Sequence, residues 1–234
     1  MRKLCRGFRN ILAGLLVLLF LFSAASGEAF HPAGEAEAQR KALALFRQCA
    51  FRPEYLDGSE GHLIRWENEI TLWVGGSPTR EDLACLDGFL RDLNAKVPGL
   101  PPCRRVRQDS GAALRLWFIP EHMMHFYLSD FVDGNWGFFK CNLAQYRIIS
   151  ARVAVASDVT NQEERNHLIQ EELVGALGLP GDHLVYSDSI LYERWTTVQS
   201  LSEVDWRMLN LLYSPSVSPG MTEEEAVAAL KKQQ

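Results

Sequence analysis

The sequence predicts an α+β domain in which one mixed, twisted sheet packs on two long helices, with further helices at the C-terminus. Two kinds of pattern lead to this class. Short stretches alternate apolar and polar residues with the period of two that strands show. Longer stretches between them carry apolar residues three and four positions apart, as on one face of a helix. The 234 residues suffice for one domain with a sizeable core.

The first half of the chain alternates helix and strand. Alanines and leucines at helical spacing predict a helix over Glu37–Phe46. Ile64–Trp66 and Ile70–Val74 alternate like strands and end at a Gly-Gly turn. Ser77–Asp82 opens a second helix, because proline suits the first turn and acids suit the positive end of the helix dipole. The proline-rich segment Pro98–Pro102 ends that helix.

The second half predicts two more strands and the longest helix. Ala113–Ile119 and Arg147–Ala156 have the strand pattern, and a helix is expected over roughly Glu163–Leu177. Gly178 supplies the left-handed residue that closes this helix, and Pro180 prevents its continuation. Two C-terminal helices are expected over Glu203–Tyr213 and Glu223–Lys232.

The N-terminus has the order of segments found in a secretory signal peptide. Four basic residues precede the apolar run Ile11–Phe22, and the small residues Ser23–Gly27 follow. The run is short for a membrane span, which needs about 20 apolar residues. We therefore expect residues 1–27 to be a signal peptide and 28–234 to be one domain, periplasmic or secreted. The alternative is an uncleaved leader that acts as a membrane anchor.

The charge of the expected mature chain restricts its partners. Without residues 1–27 there remain 20 basic and 29 acidic side chains, a net charge of −9. An acidic protein of this kind is a poor partner for nucleic acid or for an anionic membrane surface. We expect contact with a membrane only through an uncleaved leader.

Four cysteines remain after the leader: Cys49, Cys85, Cys103 and Cys141. An even number of cysteines in an exported chain favours two disulfides, with three possible pairings. No C-x-x-C spacing indicates a zinc knuckle or a redox motif. The alternative is that all four are reduced and buried in the core.

One segment carries a resemblance to a known class of enzyme. Residues 171–182 read E-E-L-V-G-A-L-G-L-P-G-D and resemble the metzincin signature H-E-x-x-H-x-x-G-x-x-H. In that signature the histidines bind zinc, and the glutamate polarises the metal-bound water. The resemblance implies a zincin-like fold, with Glu172 at the position of the catalytic glutamate and Gly178 at that of the turn glycine. Asp182 follows the turn, where such folds tie the site helix to later parts of the chain.

The three zinc-ligand positions of the signature have lost their histidines. Glu171 stands at the first, Gly175 at the second and Gly181 at the third. A glycine has no side chain with which to bind a metal. The resemblance therefore implies the scaffold of a metallopeptidase without its ordinary zinc site.

Later segments extend the resemblance over most of the expected mature chain. Residues 201–213 resemble the matrixin segment L-S-x-x-D followed by L-Y, in which Ser202 and Asp205 form a capping-box-like pair. The Met-turn is missing, since Ser189–Tyr192 holds no methionine. The combination of E-E-L-x-x-A-L-G-L-P-x-D, S-I-L and P-G-M-T also resembles an exported bacterial family described only as a domain of unknown function. Members of that family typically have glutamine where this chain has Gly175.

A different metal site is one alternative. His167 and Glu171 are four residues apart on one helical face, and His183 follows the turn, so the three could bind zinc with Glu172 as general base. The competing interpretation pairs His167 with an acid on the helix surface. A second pair of histidines lies in His122–His125, where two methionines would suit copper, although such a segment more often packs at the edge of a cleft.

The adjacent acids Glu171 and Glu172 support two interpretations without metal. The helix is buried on one side, so one carboxyl is expected to be partly desolvated, with a raised pKa or a basic partner such as Arg65 or Arg194. The acids are either an acid–base pair of a glycan hydrolase or a structural pair in an inactive relative. Aromatic residues could line a groove or belong to the core: Trp136, Phe138, Phe139, Tyr146 and Trp195.

The sequence thus predicts an exported metzincin-like pseudoenzyme that binds a peptide or protein of the cell envelope in a vestigial cleft, with no cofactor. Two alternatives stay open. One is a divergent metal-dependent hydrolase with zinc at His167, Glu171 and His183. The other is a metal-free glycan hydrolase that uses carboxylates.

Overall fold

The computed structural model describes residues 32–52, 59 and 61–232, so the predicted leader lies outside the described residues. Within them the chain forms α-helices around one mixed sheet. The helices are α1 Pro32–Phe51, α2 Arg80–Lys96, α3 Met124–Tyr127, α4 Gln162–Leu177, α5 Glu203–Leu212 and α6 Glu223–Lys231. The strands are β1 Arg65–Trp66, β2 Ile70–Gly76, β3 Cys103–Val106, β4 Leu114–Ile119, β5 Gly137–Ala144 and β6 Arg147–Ala156.

The sheet is mostly parallel. Strands β3, β2, β4 and β6 lie side by side in that order and are parallel, and β1 runs parallel to the start of β6. β5 is antiparallel to β6 along almost its whole length. It forms one edge of the sheet, because β4 and β1 take the opposite side of β6. This edge strand is the one that borders α4.

Helices α2 and α4 pack against each other, and α4 also packs on β5 and β6. Both helices begin with a capping box, at Thr79 with Asp82 and at Asn161 with Glu164. Asp82 is buried and joins the two helices, since its carboxylate accepts hydrogen bonds from Arg165 Nε at 3.0 Å and Gln162 Nε2 at 2.7 Å. The expected pair of long helices on a sheet is therefore present.

The C-terminal end of α4 is held by buried side chains from distant parts of the chain. The last carbonyl groups of a helix have no partner within it. The Trp66 indole donates to the Ala176 carbonyl at 2.9 Å, and the Tyr213 hydroxyl donates to the Leu177 carbonyl at 2.7 Å. Gly178 has φ +118° and closes the helix as predicted, and a Cβ there would collide with the Ile64 carbonyl oxygen.

Most elements agree with the sequence patterns, with three exceptions. The single-turn helix α3 was not predicted. The edge strands β3 and β5 were not predicted, because β3 carries two consecutive arginines and β5 lacks a regular alternation. The predicted helix over Glu37–Phe46 is the middle of the longer α1. In the part of the chain described above, no helix combines the length and the hydropathy that a membrane span requires.

Candidate functional site

A pocket of about 600 Å³ lies between α4, β5 and the segment that follows α4. This α4 pocket falls in the size range of ordinary small-ligand sites. Its lining combines aromatic rings, glycines and carboxyl groups. The lining residues are Gly134–Phe139, Leu168, Glu171, Glu172, Gly175, Leu179, Pro180, Asp182, Leu191, Glu193 and Trp195.

Glu172 lies at the wall of the pocket against β5. A Cβ on Gly137 would come within 2.9 Å of the Glu172 Cδ, so the absence of a side chain at position 137 makes room for this carboxyl group. Burial, the charge of Glu171 and the charge of Asp182 raise the pKa of Glu172 well above its ordinary value. The predicted raised pKa of one of the two acids is thus found at Glu172.

Glu171 has a basic partner, but it is neither Arg65 nor Arg194. Its carboxylate lies 3.4 Å from Nε2 of the buried His167, whose Nδ1 is 3.0 Å from the Val198 carbonyl oxygen. A carbonyl only accepts, so Nδ1 carries a proton, and a proton on Nε2 makes the contact with Glu171 attractive. Burial lowers the pKa of His167, but the hydrogen bond and charge of Glu171 outweigh it, and the net shift is upward.

His183 is separated from this pair by its own hydrogen bonds. Its Nδ1 accepts from the Val185 amide at 3.2 Å, so its Nε2 donates to Ser189 Oγ at 3.0 Å. Ser189 in turn donates to Asp205 at 2.5 Å. Burial lowers the pKa of His183, which agrees with a neutral ring that uses both nitrogens.

The three residues proposed as a zinc site therefore do not assemble. His167 and Glu171 are in contact, but His183 is absent from the pocket lining and both of its nitrogens are occupied. Among the described residues there is no group of three or more histidine, cysteine or acidic side chains placed to hold a metal ion. His122 and His125 are exposed and belong to no such group either.

The two glycines at former ligand positions have packing roles. The Phe139 ring lies where a side chain at position 175 would go, with Cζ only 2.7 Å from a Cβ built on Gly175. The Gly181 amide donates to the Cys49 carbonyl of α1 at 2.9 Å, and a Cβ there would lie 2.5 Å from the Arg52 carbonyl oxygen. A histidine at either position would require its neighbours to move.

The comparisons with known proteins agree with one sequence resemblance. A family model described as "Protein of unknown function (DUF2927)" matches residues 39–232. The chain belongs to this family. No curated protein matches it.

Two solved structures of myroilysin resemble this DUF2927 chain at low identity. One has a TM-score of 0.42 and 10% identity, and covers 75% of this chain and 96% of that one. The other has a TM-score of 0.42 and 11% identity, with coverage of 71% and 91%.

The motifs of this DUF2927 chain that lie outside α4 hold the site in place. The Asp205 carboxylate accepts from Ser189 Oγ, from the Ile190 amide at 3.0 Å, and from the amide and hydroxyl of Ser202, both at 2.8 Å. This buried cluster connects the start of α5 to the loop that follows α4. Leu191, Glu193 and other pocket residues belong to the same loop.

The predicted disulfides are wrong for this structure, because all four cysteines are free. Each thiol lies in its own part of the core, on α1, α2, β3 and β5. Cys85 and Cys141 instead donate weakly to helix carbonyls, those of Asn166 and Ala176, both at 3.7 Å. Burial raises the pKa of Cys103 and of Cys141 to about 12, so neither forms a thiolate readily.

Sequence reasoning missed several residues that shape the pocket. Gly137 and Glu193 were not singled out, although Gly134 and Gly137 enclose Trp136 in a short G-N-W-G segment. Two glycines around a tryptophan are the one local signal for a close approach of backbone to another group. Of the aromatic candidates, Trp136, Phe138, Phe139 and Trp195 do line the pocket, but Tyr146 stacks on His62 elsewhere.

Proposed function

We propose that this chain is an exported binding protein with a zincin-like scaffold, whose α4 pocket holds a ligand and hydrolyses no peptide. The observation that carries the proposal is the pair Phe139 and Gly175. The pocket stays open beside the helix, while an aromatic ring fills the space from which a second metal ligand would enter it. The ligand belongs to the cell envelope, where the predicted leader directs the chain.

The candidate metal ligands near Glu172 favour a ligand-binding pocket over a metal-dependent enzyme. A catalytic zinc site keeps three protein ligands and one open position. Here one candidate ligand, His167, already contacts a carbonyl and a carboxylate, and His183 contacts an amide and a hydroxyl. These residues do not fit zinc, so no step of a metal-dependent mechanism follows from them.

Metal analysis of the purified chain 28–234 tests this proposal. We expect well below one zinc per chain, no change in melting temperature with a chelator, and no hydrolysis of unstructured peptides. Stoichiometric zinc that disappears in His167→Ala or Glu171→Ala would overturn the proposal in favour of the metal-dependent hydrolase. Asp92→Asn is a suitable control, because it removes one exposed carboxylate of α2 that pairs only with Lys96.

A metal-free glycan hydrolase is the second candidate, and the raised pKa of Glu172 favours it. A carboxyl that stays protonated beside an ionised one is the arrangement of a general acid with a second carboxylate. Exposed aromatic rings such as Trp195 also suit a sugar face. Turnover of cell-wall glycan by the native chain, lost in Glu172→Gln while the fold is kept, would establish this candidate over the binding protein.

A further inference from the structure

Acidic side chains predominate among the charged groups that line the α4 pocket. Four carboxyl groups line it, those of Glu171, Glu172, Asp182 and Glu193, and no lysine, arginine or histidine is among the lining residues that the structure describes. The acids come from α4 and from the segment after it, whereas β5 contributes only glycine and phenylalanine to this wall. His167, which is not among these lining residues, pairs with Glu171.

Glu172 is an acid of the pocket for which the described residues supply no basic partner. Within the described parts of the chain its carboxyl group takes part in no hydrogen bond or ion pair, and its electrostatic neighbours are the acids Glu171 and Asp182. Desolvation of a carboxylate without a partner is costly and favours its protonated form, which is the direction of the raised pKa of Glu172. A cation in the pocket would supply the missing partner.

Aromatic rings also line the pocket. Trp136 and Trp195 meet edge to face with ring centroids 5.3 Å apart, and Trp195 is 52% exposed. Indole faces attract cations more strongly than the faces of other aromatic side chains. An exposed tryptophan beside the Glu172 carboxyl group is therefore suited to an organic cation with an apolar stem.

Other classes of ligand fit this lining less well. An anion would be repelled by the four acidic side chains of the lining. A neutral sugar needs donors as well as acceptors, and of the lining residues described here Asn135 alone has a side-chain amide. A bare metal ion needs converging ligands, which the described residues do not provide, and it would leave most of the 600 Å³ empty.

We propose that the α4 pocket binds the ammonium or guanidinium head of a lysine or arginine side chain in a partner peptide, and that Glu172 releases its proton to water as it pairs with that head. This inference rests on the proposed binding function. The carboxylate of Glu172 and the cation form the ion pair, and the proton leaves for the solvent. Trp195 and Trp136 cover the alkyl stem.

Calorimetric titration of the chain 28–234 with short peptides tests the inference. The peptides are capped at both ends and differ at one central position, which is lysine, arginine, norleucine or glutamate. We expect the lysine and arginine peptides to bind about tenfold or more tightly than the other two. Free spermidine in a further titration distinguishes a small polyamine from a peptide side chain, and tighter binding of spermidine than of the peptides would reject the peptide.

Variants of the chain and the number of protons released on binding test the roles of Glu172 and Trp195. In two buffers of different ionisation enthalpy, the lysine peptide should show net proton release and should bind more tightly as the pH rises. Glu172→Gln should lose about tenfold in affinity and most of this pH dependence. Trp195→Ala, at an exposed site, should weaken binding severalfold. The control Asp92→Asn makes the same kind of acid-to-amide change at an exposed position away from the pocket and should leave both unchanged.

Three results would reject the inference. The first is equal affinity for the lysine and norleucine peptides. The second is that Glu172→Gln and Asp92→Asn have the same affinity and the same pH dependence of binding, and the third is stoichiometric calcium binding that excludes the peptides. Pocket binding of a neutral or anionic compound would reject the cation but keep the binding function. Stoichiometric zinc with peptide hydrolysis would reject the binding function itself.

Discussion

The C-terminus of α4 and the part of α4 that lines the pocket differ in how their polar groups are partnered. At the C-terminus, Trp66 and Tyr213 satisfy the carbonyls of Ala176 and Leu177, and every partner is buried. One turn earlier, Glu172 faces the pocket with no hydrogen bond from the described residues and with two acids nearby. The first arrangement stabilises the fold, whereas the second weakens it and is suited to a ligand.

The largest effect should follow from removal of the buried tryptophan. Trp66→Ala leaves a cavity and takes the indole hydrogen bond away from the Ala176 carbonyl, which keeps only the weak contact with the Cys141 thiol, and should cost about 3–5 kcal/mol of unfolding free energy. Trp195→Ala, at the exposed rim of the pocket, should cost only about 1 kcal/mol. Chemical denaturation of both variants checks the comparison, and equal losses would contradict it.

The next largest loss of stability should follow from removal of the Asp205 carboxylate. Asp205→Ala removes the acceptor of four hydrogen bonds and leaves buried donors without a partner, at a cost of about 3 kcal/mol. The loop that lines the pocket should also loosen, so hydrogen exchange should rise over residues 183–193. A variant that unfolds less easily than the native chain would show that the cluster does not hold the loop.

A single hydroxyl group should have a smaller effect. Tyr213→Phe keeps the ring and removes the hydrogen bond to the Leu177 carbonyl, together with the longer one that the hydroxyl accepts from the Trp66 amide at 3.4 Å, for a loss of about 1–2 kcal/mol. The denaturation midpoint should fall with an unchanged slope. No loss at all would mean that the end of α4 does not depend on this contact.

At the pocket wall a substitution should raise the stability of the protein instead of lowering it. The folded-state pKa of Glu172 is raised, so its contribution to stability is full below the unfolded pKa and is lost as the pH rises through the folded value. Glu172→Gln should therefore be more stable than the native chain at pH 7 to 8, by about 1 kcal/mol, and the difference should vanish near pH 4. Destabilisation at pH 8 would mean that the carboxylate has a partner after all.

The smallest expected effect concerns the thiols. Because Cys141 is a free thiol that supports the Ala176 carbonyl, a reductant should leave the melting temperature of the chain 28–234 unchanged. A thiol reagent should count four thiols after denaturation without reductant. A count of fewer than four thiols would indicate a disulfide.

The sequence predicted the elements that local patterns specify. The closure of α4 at Gly178, the capping pair Ser202 and Asp205, and the alternation of β6 all depend on residues close in sequence, and the structure has each of them. Edge strands β3 and β5 escaped prediction, because their pairing with β2 and β6 decides them rather than their own pattern.

The candidate site divides in the same way. The sequence alone determined that Gly175 and Gly181 cannot bind a metal and that Glu171 and Glu172 are adjacent acids on a helix. The tertiary structure decided that Phe139 fills the space beside Gly175 and that His183 bonds to Ser189 instead of joining His167. It also decided that, among the described residues, Glu171 has a basic partner and Glu172 has none. The physical reason is that solvation and partners depend on which distant segments pack around a side chain, and spacing along one helix does not contain that information.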